Sequence, residues 1–212
     1  MVAAPPLALL LGPQVAVPVV LLLESIVAAP MLIETRHQVQ WRVIGAIILA
    51  ACLTVPLGAL ALVAADPQLI RRAIAVAVIV FAFMLLRGWR YGGQPRLATS
   101  LGLGAVSGAM AGATSIGGPP VILYLLSGPY SAATTRANLT LYIAVTSLVG
   151  IAMLWYLGLF DARVGWTSLW LAPTYYLGLL GGQRLFPRFS DTRFRQFILL
   201  LLIAVSIGIL LV

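Results

Sequence analysis

Leu101-Gly102-Leu103-Gly104-Ala105-Val106-Ser107-Gly108-Ala109-Met110-Ala111-Gly112-Ala113-Thr114-Ser115-Ile116-Gly117-Gly118-Pro119-Pro120 is the stretch on which the fold turns. As far as Gly112 it is a helix of mostly small residues, suited to close backbone packing inside a membrane. At Ser115-Ile116-Gly117-Gly118-Pro119-Pro120 that helix must stop. Pro has no N–H to donate and its ring clashes with the preceding turn. Pro is nevertheless favoured at a first helical position, so Pro119-Pro120 can open a second, short helix from Val121 to Leu126. The expectation is two helical pieces meeting at a break, within a run from Leu97 to Gly128 too long and too interrupted to be one helix.

Composition supplies the setting. Of 212 residues, 62% are hydrophobic and 8% charged, with a mean hydropathy of +1.08. A soluble domain of this size carries about 25% charged residues to keep its surface wet. Here the apolar residues are too many to hide inside one globule, so the surface itself must face lipid. The net charge of +8 comes from 13 basic residues, all arginine. They fall singly or in small groups between apolar runs, as at membrane surfaces, and do not form the continuous basic face that nucleic acid requires. Cys52 is the single cysteine, which excludes an intrachain disulfide, and no metal set or cofactor motif is legible. His37 reads as a solvated connector residue beside Arg36. No paired acids and no Ser–His arrangement suggest an intramembrane enzyme.

Runs of about 20 apolar residues mark the membrane spans. They cover residues 14–33, 43–64 with a mid-span Pro56, Arg71-Arg72 to Leu86, the broken 97–128 element, 131–157, 165–183 and 194–212. The fold class is therefore all-α: a polytopic helical membrane protein with about seven membrane segments and one transmembrane domain over residues 1–212. Trp41, Trp155, Trp166 and Trp170 fall near span ends, where indoles prefer the interface.

The break recurs in weaker form at the start of the chain. Pro5-Pro6 through Gly12-Pro13 parallels Pro119-Pro120 through Gly128-Pro129, and Val39-Gln40-Trp41-Arg42 parallels Val164-Gly165-Trp166-Thr167. Two related units follow, repeat 1 over about residues 1–90 and repeat 2 over about 97–212. Arginine counts address their orientation. A single crossing by 97–128 puts Arg36, Arg42, Arg87, Arg90, Arg96 and Arg163 on one side and the other seven opposite. A re-entrant hairpin leaves only Arg71, Arg72 and Arg163 outside, against ten inside. The positive-inside rule prefers the hairpin, which gives each unit three crossings and inverts one unit relative to the other. Inverted repeats with broken helices are a recurrent transporter design.

Gly104 to Pro120, with its small-residue helix running into Gly-Gly-Pro-Pro, resembles the TauE/SafE sulfite exporter family, the four-TMS sulfite and organic anion permeases. The resemblance extends over essentially the whole chain, including the Gly178-to-Arg184 stretch. It implies a secondary permease in the bacterial inner membrane that carries small sulfur-containing or organic anions, with ion coupling. The family pattern also leads one to expect a small-residue helix and glycine break heading the first half. This chain instead starts at Met1-Val2-Ala3-Ala4-Pro5-Pro6, and the expectation is that this first arm is missing, either because the start is placed too late or because the member is shortened. A shortened member lends weight to the rival reading, a non-transporting assembly or scaffold protein.

The residues expected to contact substrate are Thr114, Ser115, Gly117, Gly118 and Pro119 at the break, where hydroxyls, open N–H groups and a helix dipole can meet an anion. Asn138 and Thr140, with Tyr142 and Thr146, form a polar set in the second half whose alternative role is interhelical hydrogen bonding. Glu24, inside an apolar run and matched to Thr140 in the repeat frame, is the coupling candidate, suited to a proton or to holding a neighbouring helix. Arg136, Gln183 and Arg184 read first as topogenic residues. The partners expected are the lipid bilayer, a small anion and a coupling proton; the choice between monomer and homo-oligomer stays open.

Overall fold

The computed structural model describes residues 4–88 and 96–185, with Leu200, Ile203, Ala204, Ser206 and Ile207. The expected last span therefore lies largely outside the described residues, as do Arg90, Arg188, Arg193 and Arg195.

Among the described residues the elements are α1 (Ala4–Leu11), α2 (Pro13–Thr35), a 3-10 turn (Arg36–Gln38), α3 (Trp41–Ala64), α4 (Pro67–Leu86), α5 (Leu97–Thr114), α6 (Gly118–Leu125), α7 (Ala132–Tyr156) and α8 (Ala162–Leu185). Five of them, α2 with its 3-10 extension, α3, α4, α5 and α7, are long and apolar enough to cross a membrane. The 24-residue α8 has the length but is more polar and is not among the five. Pro18, Pro30, Pro56 and Pro173 sit inside helices that continue through them, as transmembrane helices allow when neighbours and hydroxyls re-satisfy the backbone. Short polar residues cap the starts of α4 and α7: Asp66 accepts from the Gln68 N–H at 2.6 Å, and Ser131 accepts from the Thr134 N–H at 3.1 Å.

The tightest seam joins α3 and α5. A Cβ placed on Gly104, Gly108 or Gly112 would run into the carbonyl oxygens of Ile47, Ala51 and Val55 respectively. Both sequences advance by four at each step, so the two helices run parallel, one turn matched to one turn. Gly58 of α3 returns the contact against Ala109 and Ala113 of α5. Small residues spaced by four remove the side chains that would hold the backbones apart, and dispersion across the seam then holds the pair. Glycine here is a packing requirement.

α2 and α7 form the second pairing and run antiparallel. Gly150 lies against Leu21, while Asn138, near the start of α7, accepts a hydrogen bond at 2.9 Å from the N–H of Gln40, just past the end of α2. That bond also sets the start of α7 beside the start of α3. Since α3 and α5 are parallel, α5 and α7 begin at the same end of the bundle. The chain between them goes in and comes back.

Candidate functional site

The return is made by α5 and α6. Ser107, midway along α5, donates to the carbonyl of Gly117 at the head of α6. Seven residues towards the start of α5, Ser100 shares a 2.8 Å hydrogen bond with the hydroxyl of Tyr124, seven residues along from Gly117. The second helix thus doubles back along the first, which is the hairpin favoured by the arginine count.

At the tip, α5 ends on Ser115, whose φ of 56° is left-handed; among the described residues it is the one non-glycine with positive φ. Its N–H closes onto the carbonyl of Ala111 at 2.9 Å. Helices commonly end on such a residue, usually glycine. Three residues later α6 opens at Gly118 with Pro119 and Pro120 in its first turn. The sequence reading put the break here and the short helix at Val121–Leu126; α6 opens three residues earlier, at Gly118, and ends at Leu125.

The hydroxyls at the tip are turned to the backbone. Thr114 donates to Met110 at 2.7 Å and accepts from the N–H of Ile116 at 3.3 Å, and Ser115 donates to the carbonyl of Thr114 at 2.6 Å. Thr140 likewise donates to Arg136 at 2.9 Å, one turn back on α7. A hydroxyl has one hydrogen, so none of the three has a proton left for an anion. The N–H groups of Gly117 and Gly118 are different: among the described residues neither has a hydrogen-bond partner. The side amide of Asn138, fully buried, spends its oxygen on Gln40 and leaves Nδ2 unpartnered.

The two glycines differ in their surroundings. A Cβ on Gly117 would sit 2.6 Å from the Cβ of Ala111 and 2.8 Å from both the carbonyl oxygen of Ser107 and the hydroxyl of Tyr142. A Cβ on Gly118 would meet nothing within 4 Å. One glycine is walled in, and the next borders open space. Pro119 beside it is buried.

Tyr142 connects this tip to the rest of the bundle. Its hydroxyl lies 2.6 Å from that of Ser107, and the two residues are 1% and 0% exposed. Asn138, Tyr142 and Thr146 follow one another at four-residue intervals on one face of α7, all buried. Glu24 of α2 is half-buried and within electrostatic range of Tyr142 on α7 and of Tyr175 on α8. The structure therefore brings Tyr142 to the tip residues, while Asn138 stands a turn away at the α3 start and Glu24 lies on α2, which packs against α7. Ser107 was not singled out in the sequence. The available signal was its place on the glycine face of α5, where a hydroxyl in an apolar seam needs a partner.

A helical bundle with five membrane-length apolar helices, folded round a doubled-back, glycine-broken hairpin, defines a polytopic membrane protein of transporter type. More particularly, the chain belongs to the sulfite exporter TauE/SafE family, whose family model matches residues 1–209. No curated protein and no solved structure matched the chain.

Proposed function

We propose that this protein is a secondary permease of the bacterial inner membrane for small sulfur-containing or organic anions, with sulfite and sulfonates as the representative class. The observation that carries this reading is the α5–α6 tip, where two backbone N–H groups lack partners among the described residues and Gly118 borders open space. Irregular backbone at membrane depth persists where it is buried in protein or lines a wet cavity. Donors without a compensating acceptor suit an anion, and the amino end of α6 adds a favourable dipole. On this reading Gly117, Gly118 and Pro119 form the contact surface by backbone. Thr114 and Ser115 shape it, and Asn138 and Thr140 flank it on α7. Glu24 serves as the proton-coupling group.

The two-unit reading fits the same picture. α1 and α6 are both eight-residue helices opening with Pro-Pro, and the longer helices that follow them, α2 and α7, run antiparallel. Units related in that way are inverted in the membrane. Pairing of two copies through the exposed α8 indoles, Trp166 and Trp170, is the homo-oligomer alternative to lipid contact there.

The test is flux in proteoliposomes, with sulfite and a simple alkyl sulfonate as probes. Concentrative movement driven by a pH gradient supports the reading, with loss of the proton drive in Glu24→Gln. Absence of flux for both probes in correctly folded protein refutes it for this substrate class.

A further inference from the structure

Proton counting at the tip gives Tyr142 and Ser107 a defined polarity. Ser107 has one hydroxyl hydrogen and donates it to the carbonyl of Gly117. In its bond with Tyr142 it can therefore only accept, so the tyrosine O–H is the donor. The chain of donation runs from Tyr142 on α7, through Ser107 on α5, to the backbone of Gly117 at the head of α6. Solvent does not compete, since Ser107 is 0% and Tyr142 1% exposed. The walls round Gly117 come from the same residues: the Ser107 carbonyl and the Tyr142 hydroxyl each stand 2.8 Å from where a Cβ would be. Absence of a side chain at 117 is what lets the three groups close together.

We propose that Ser107 and Tyr142 are positioning residues, a hydroxyl clamp that fixes the Gly117 carbonyl, aims the N–H end of α6 (unpartnered among the described residues) at the open side of Gly118, and makes that aim follow movement of α7 against α5. α7 packs against α2, the helix that carries Glu24, so movement of α2 against α7 reaches the tip through Tyr142. The consequence for transport rests on the permease reading; the clamp itself does not.

The experiment reads the tip directly. In a Cys52→Ala background, Gly118→Cys supplies a thiol where an added Cβ meets nothing within 4 Å and where φ is not positive. Its rate of reaction with a membrane-permeant maleimide is measured in full-length protein in vesicles, alone and combined with Tyr142→Phe, Ser107→Ala or both. Loss of one buried hydroxyl bond should change that rate by roughly fivefold, and the double variant should do no more than the larger single. Tyr142→Phe removes one oxygen and keeps the ring, so it carries the test if Ser107→Ala fails to fold. A lowered melting temperature with an unchanged labelling rate in both variants marks a purely structural bond and overturns the proposal. Sulfite flux is followed in parallel without the reporter cysteine: the clamp predicts a raised KM with Vmax nearly held in Tyr142→Phe. If the wild type moves no sulfite yet the labelling rates respond, the sulfite reading fails and the clamp stands.

Discussion

At Gly117 and Gly118, neighbouring residues of one type do different work. Both were expected to contact substrate, and both stand at the break. Gly117 is enclosed by Ala111, Ser107 and Tyr142, and Gly118 is open on its Cβ side. Gly117→Ala should therefore cost about 1–3 kcal/mol by overpacking and abolish flux, whereas Gly118→Ala should leave stability near wild type. Thermal unfolding in detergent separates the two, and equal destabilisation would contradict the geometry. Ser115 gives a prediction of opposite sign. Its left-handed backbone is strained for a residue with a Cβ, and among the described residues its hydroxyl bonds only the adjacent carbonyl. Ser115→Gly should stabilise by about 1 kcal/mol; a loss of stability would show that the hydroxyl holds the tip. The break was legible because Gly-Gly-Pro-Pro leaves few backbone options. The commitment of the Thr114, Ser115 and Thr140 hydroxyls was not, because a serine or threonine can bond its own backbone or a ligand with equal ease.

Between elements, the α3–α5 seam is the decisive contact. Its glycines predict a graded series along a single helix. Gly108→Ala drives a methyl into the backbone of Ala51, and Gly112→Ala does the same at Val55. Each should destabilise by about 1–3 kcal/mol. Gly102, exposed on the same helix with nothing within 4 Å of its Cβ, is the internal control. Gly102→Ala should be neutral or stabilising by about 0.5–1 kcal/mol, the helix-propensity difference. Melting temperatures of the three variants, together with their elution as single species, check the series; a uniform response would mean the seam is not close-packed. The small-residue run announced close packing from composition. It did not name α3 as the partner, since any helix with a matching small-residue face would fit.

Across the whole molecule, the paired beginnings of α3, α5 and α7 fix the topology. Single cysteines at Gln40 and Ser131 in a Cys52→Ala background should label from one face of the membrane, and those at Asp66 and Asp161 from the other. Labelling of Gln40 and Ser131 from opposite faces would sink the hairpin. What the sequence determined alone was the membrane setting, from 62% hydrophobic and 8% charged residues, and the family. It also determined the limits of the helices through α8, which the structure moves by only a few residues, and the break from Ser115 to Pro120. These follow from composition and from local rules, because a run of apolar residues or a Gly-Gly-Pro-Pro acts on its own segment. Tertiary structure decided that α6 folds back along α5, that Gly117 is enclosed while Gly118 is open, and that Ser107 and Tyr142 join the tip to α7. Those outcomes depend on which helices meet, and a hydroxyl or an N–H acquires its role only when a neighbour far along the chain supplies, or withholds, its partner.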